Sequence, residues 1–118
     1  VFHYFSFTTT KLVTEKLGIP ASKFGISFQS RLGGGWLQPF TNKRLKAMPS
    51  EGIKKLFIIC PAFVSDCLET LEKIAEEGKE TFMEAGGESF EMIPCMNTHP
   101  MWVAALKQLI DEPQLILA

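Results

Sequence analysis

The chain lacks any excess of positive charge. Its 12 Lys and Arg against 13 Asp and Glu leave a net charge of -1, so nothing in its balance points to nucleic acid. It also lacks a long apolar run. The longest, around Leu56 to Val64, is about nine residues, far short of the roughly 20 that a membrane helix needs. No Cys-x-x-Cys pair is present, and three widely spaced cysteines, Cys60, Cys67 and Cys95, make neither a zinc site nor a disulfide framework. Three free thiols fit a reducing compartment. The triple glycine Gly33-Gly34-Gly35 lacks both the Gly-Lys-Ser/Thr ending and the Gly-x-Gly-x-x-Gly spacing, so it is a loop and not a phosphate cradle. There is no signal-peptide pattern, and the start at Val1 suggests a piece of something longer.

What is present fits one soluble domain. The 118 residues are 46% hydrophobic and 21% charged. Phe5, Leu12, Val13 and Leu17 share one helical face, and "LGIP" ends that helix, so a helix is predicted over His3 to Leu17. Alternation in "KFGISFQS" predicts a strand over Phe24 to Gln29. A glycine-rich loop follows. Thr41 caps a short helix with Leu45 and Met48 inward, ending near Pro49 to Gly52. "KKLFIIC" reads as a strand buried on both faces of a parallel sheet. From Asp66 onward, Leu68, Leu71, Ala75, Gly78 and Phe82 mark the inward face of a helix stopping at Gly86-Gly87. Ser89 to Ile93 is a third strand. The last helix is capped by Asn97 or Thr98, with Pro100 in its first turn.

Strands alternating with helices imply an α/β domain with a mostly parallel sheet flanked by helices. Ligands bind beyond the carboxyl ends of such strands. Three loops should converge there. The first carries Gln29, Ser30, Arg31 and Trp36. The second carries Pro61, Phe63, Asp66, Cys67 and Glu69. The third carries Pro94, Asn97 and His99.

Each candidate has a plain alternative. Trp36 and Phe63 are packing aromatics or flat walls for an aromatic ligand. Cys67 is a small buried hydrophobe or a thiolate activated by a helix start. His99 is a surface or capping residue. Asp66-x-x-Glu69 resembles a capping box, and local spacing favours that reading over chemistry. The functional alternative for Glu69 is a cleft carboxylate that takes protons or steers a cation. Glu77, two turns on, could share its face, with Glu76 and Glu80 extending the acidic surface and Lys73 interrupting it.

Three ordered blocks, "SFQSRLGGGWLQPFT", "CPAFVSDCLETLEKIAEEG" and "IPCMNTHPMW", resemble the C-terminal part of the ferrochelatase family, whose members insert ferrous iron into protoporphyrin IX. The likeness extends over nearly the whole chain. It implies a Rossmann-like, chelatase-type fold in which residues 1–118 are the C-terminal domain, one half of a two-domain enzyme. The N-terminal domain is then the partner, with protoporphyrin IX and Fe2+ as substrates. It implies Glu69 as the catalytic carboxylate and a metal contact, Glu77 as a second metal contact, and Phe63, Trp36 and Cys67 beside the porphyrin. No resident cofactor and no iron–sulfur cluster are implied, and the location is cytoplasmic, in solution or at the membrane periphery. The family's Ser-x-His-Gly-(Leu/Ile/Val)-Pro motif is not in this chain, so the isolated piece is expected to be inactive. Cys67 stands where animal relatives carry histidine, and Lys73 where many relatives carry a carboxylate. The alternatives are a porphyrin-binding module without turnover and a related cobalt or nickel chelatase.

Overall fold

The structure is a computed structural model that describes residues 2–29, 35 and 37–112. Helix α1 (Phe2–Leu17) ends as its sequence predicts. Gly18 is left-handed at φ 68, and the Ile19 N–H donates to the Thr14 carbonyl at 2.9 Å, closing the last turn. Helix α2 (Thr41–Ala47) runs into a 3-10 turn (Met48–Glu51). Strand β1 (Lys55–Ile58) follows. A π-wound helix (Glu69–Gly78) continues into α3 (Lys79–Glu84), then come β2 (Ser89–Met92) and α4 (Pro100–Asp111).

β1 and β2 pair in parallel, Lys55 opposite Ser89 and Ile58 opposite Met92. The long helical crossover between them is what a parallel pair requires. Leu56, Ile58, Phe90 and Met92 turn toward one core, closed by Leu45 of α2 and by Ile74 and Phe82 of the crossover. The Phe82 and Phe90 rings meet with centroids 5.8 Å apart. Two glycines make this closeness possible. A Cβ on Gly78 would come within 3.2 Å of Leu45 Cδ1, and one on Gly87 would sit 2.3 Å from the Phe82 ring.

Several sequence expectations need correction. The strand expected over Phe24 to Gln29 is a 3-10 turn at Ala21–Lys23 followed by extended chain. It makes one isolated parallel bridge, Phe28 with Phe40, and the described sheet has two strands instead of three. Alternation told that the segment is extended but could not choose its partner. Thr41 is the first helical residue and Phe40 the cap position; the Thr41 hydroxyl instead meets Ser27 Oγ at 2.8 Å. β1 is covered on one face only among the described residues, leaving Phe57 71% exposed. On α1, Phe5, Leu12 and Leu17 are exposed, and Thr14 is the buried residue, its hydroxyl bonded to the Thr10 carbonyl at 2.8 Å.

The crossover helix carries the most informative shift. Leu68 and Leu71, expected inward, are 77% and 50% exposed. The buried positions are Thr70, Ile74, Gly78 and Phe82, spaced by four throughout. On an ordinary α-helix each step of four overshoots a full turn by about 40°. Wider π winding brings every fourth residue closer to one line. Long π segments are rare and concentrate at functional sites.

Candidate functional site

The loop after β1 and the loop after β2 meet at the carboxyl edge of the sheet. The Ile93 N–H donates to Ile58 O at 2.9 Å, and the Asn97 N–H donates to Val64 O at 2.9 Å. Asn97 has the left-handed backbone (φ 47) that short polar side chains tolerate. This turns its amide back onto the first loop. The Asn97 Nδ2 donates to Asp66 Oδ2 at 2.8 Å, and Asn97 Oδ1 accepts the Asp66 backbone N–H at 2.8 Å.

Asp66 holds more than Asn97. Its Oδ1 accepts the Thr70 hydroxyl at 3.0 Å and the Cys95 N–H at 3.3 Å. Thr70 is fully buried, and its Oγ1 accepts the Cys67 N–H at 3.0 Å. The expected Asp66-x-x-Glu69 capping box is therefore absent. Thr70 caps the free N–H, Asp66 anchors Thr70, and Glu69 is left out of the cap. Hydrogen bonds from Asn97, Cys95 and Thr70 pull the Asp66 carboxyl down to about 2, Asn97 contributing most and Cys95 next.

That shift has a pH consequence. The folded value lies below the roughly 3.9 of an unfolded aspartate. The stabilisation from ionised Asp66 is therefore complete above about pH 4 and is lost as pH falls toward 2. Denaturant midpoints measured from pH 5 down to pH 2 should fall more steeply for the wild type than for Asp66→Asn. Parallel curves would mean that the carboxylate is not held as described.

Glu69 opens the π-wound helix, half-buried, directly between the anchored Asp66 and Thr70. Its carboxylate makes no hydrogen bond or ion pair among the described residues. Phe63, more than one-third exposed, lies on the same loop, its N–H bonded to Cys60 O at 3.0 Å. Cys67 is half-buried and free. Glu77 is engaged elsewhere: Lys73 Nζ donates to Glu77 Oε1 at 2.7 Å, and this raises the Lys73 ammonium above its usual value. Trp36, Ser30 and Arg31 lie outside the described residues. No group of three or more His, Cys, Asp and Glu among the described residues is arranged to hold a metal.

The third loop differs from expectation in its cap. His99, not Asn97 or Thr98, caps α4, its Nδ1 accepting the Met101 N–H at 3.2 Å. This is the plain reading of His99. An open cleft of about 550 Å³ runs beside Cys95, Met96, His99 and Trp102, and Glu69 does not line it. Burial, then a hydrogen bond to Asp66 and its negative charge, pushes the Cys95 thiol up to about 11; burial, then the Asp66 charge, raises Cys60. Thr70 was missed in the sequence as a site element. Its only signal was a hydroxyl one turn after Asp66.

This is an α/β domain with a parallel sheet, and the carboxyl edge where such sheets hold their ligands carries an anchored acid, Asp66, and an unpaired one, Glu69. The Ferrochelatase family profile matches residues 2–114. Relatives with that name include one from Ectopseudomonas mendocina (strain ymp), 49% identical over 110 residues, covering 92% of this chain and 32% of the relative. Another, from Pseudomonas entomophila (strain L48), is 52% identical over 105 residues, covering 88% of this chain and 31% of the relative. A third, from Pseudomonas fluorescens biotype C, is 44% identical over 112 residues, covering 94% and 33%. The chain belongs to the ferrochelatase family, and it spans about a third of the length of the curated relatives it matches. No helix among the described residues is long and apolar enough to cross a membrane.

Proposed function

We propose that this chain supplies the acidic wall of the cleft in a ferrochelatase, a lyase that inserts Fe2+ into protoporphyrin IX to make protohaem. The observation that carries the reading is Glu69, half-buried and unpaired at the carboxyl edge of β1 in a chain of this family. Insertion exchanges two pyrrole N–H protons for one divalent ion. A carboxylate at the macrocycle lowers the cost of both halves of that exchange, since it accepts a proton and attracts the cation. A base already paired to an ammonium would do neither well. Phe63 and Trp36 offer flat apolar surface to the porphyrin, and Cys67 lies beside Glu69 on the same loop. Glu77 becomes a second contact for the ion once it leaves Lys73. Iron is a substrate in this reading, and no resident cofactor or iron–sulfur cluster is required. The N-terminal domain of the same enzyme completes the cleft with its histidine, and the enzyme works in the cytoplasm.

The test is porphyrin absorbance in the presence of ferrous iron under anaerobic conditions. The full-length protein that carries this segment should convert protoporphyrin IX to the metallated spectrum. The isolated 118-residue segment should give no turnover. Porphyrin binding by the full-length protein without metallation would favour a binding module. Preference for cobalt or nickel with a more carboxylated tetrapyrrole would favour a related chelatase. Turnover by the segment alone would remove the need for the second half.

A further inference from the structure

Asp66 and Asn97 are 31 residues apart, yet they face each other through two hydrogen bonds of 2.8 Å, one in each direction. The pair joins the loop after β1 to the loop after β2. The other oxygen of Asp66 takes the Thr70 hydroxyl and the Cys95 N–H. All the hydrogens on this carboxylate come from neighbours, so it is poorly placed to act as a base itself. Glu69 sits between Asp66 and buried Thr70 in the chain, and both flanking residues are fixed by the same network. Glu69 thus has a free carboxylate on a tightly held turn.

We propose that Asp66 and Asn97 are positioning residues that hold the turn bearing Glu69 against the third loop, so that its carboxylate reaches the reacting centre. The proposal rests on the ferrochelatase reading and adds to it a pair of residues that act through another. The pair works through the direction of its hydrogen bonds and not through the place of its charge. Asp66→Asn alone sets an amide N–H against the Asn97 amide, donor against donor. Asn97→Asp alone sets carboxylate against carboxylate. Combining the two restores every partner. The amide then at position 66 donates to the carboxylate at 97, its oxygen still accepts from Thr70 and Cys95, and the carboxylate at 97 still accepts the backbone N–H of residue 66. Aspartate also tolerates the left-handed backbone at 97.

The experiment measures iron insertion by the full-length protein carrying each single variant and the double variant. Misplacing a catalytic group by about 1 Å costs on the order of 100-fold. Each single variant should therefore lose about 10- to 100-fold in kcat with KM for porphyrin nearly unchanged. The double variant should recover to within about threefold of wild type. Hydrogen exchange of the Cys67 and Cys95 amides, read on the same proteins, should rise in the single variants and return in the double. An active wild type whose double variant stays as impaired as Asp66→Asn overturns the proposal, because the carboxylate at 66 would then be needed for itself. A KM loss equal to the kcat loss also overturns it. A wild type that binds porphyrin and never metallates it overturns the functional reading, and this proposal with it.

Discussion

Glu69→Gln in the full-length protein should lose iron insertion by about 100-fold or more while melting at the temperature of the wild type. A positioned general base contributes typically about 10²–10⁴-fold, and glutamine keeps the shape while removing both basicity and charge. Stability should be unaffected for a structural reason. The Glu69 carboxylate makes no hydrogen bond or ion pair to the described residues, and the cap beside it uses Thr70. Substitutions away from such features usually stay within about 0.5 kcal/mol. Initial rates of porphyrin metallation and a thermal melt on one preparation decide the matter. Activity within twofold of wild type would remove Glu69 from the reaction. A large drop in melting temperature would make it structural.

Phe82→Ala should be the most damaging change to folding. The ring is completely buried, at 0% exposure, and lies against Phe90, Leu45 and Ile74 in the one central cluster of the described residues. Truncating a buried phenylalanine costs about 3–5 kcal/mol. Native domains hold only about 5–15 kcal/mol in total. Denaturant unfolding of the full-length protein should show the midpoint falling sharply for the transition that includes this domain. A change of less than about 1 kcal/mol would mean that the core is elsewhere.

Much of the framework was legible in the sequence, and the gaps have physical causes. β1, β2 and the helix ends at Gly18 and Gly86 follow from apolar runs and glycine placement, which are local signals. The inward face of the crossover helix followed only in part: Gly78 and Phe82 are buried as expected, but its first two turns are not as expected. A 3.6-residue period selects Leu68 and Leu71, whereas the π winding buries Thr70 and Ile74. The extended stretch before Gln29 looked like a sheet strand because alternation reports conformation and not pairing. Glu69 emerged at the strand edge from chain order alone, but its local spacing argued for a cap. Only the contact between Asp66 and Asn97, across 31 residues, explains why Asp66 serves the fold and Glu69 stays free. No local pattern can announce such a pair.

The cysteines near Asp66 have a consequence for which atoms meet a soft or oxidising reagent first. With Cys95 held at about 11, only on the order of one molecule in 10⁴ carries its thiolate at neutral pH. Cys60 is displaced in the same direction. Sulfur becomes a strong ligand and a fast nucleophile only when ionised. The burial and negative charge around these thiols therefore keep them chemically quiet, slow to oxidise and poor at trapping passing cations. Near the same two loops the Glu69 carboxylate makes no hydrogen bond or ion pair among the described residues, so an oxygen donor stands open where two of the thiols are held protonated.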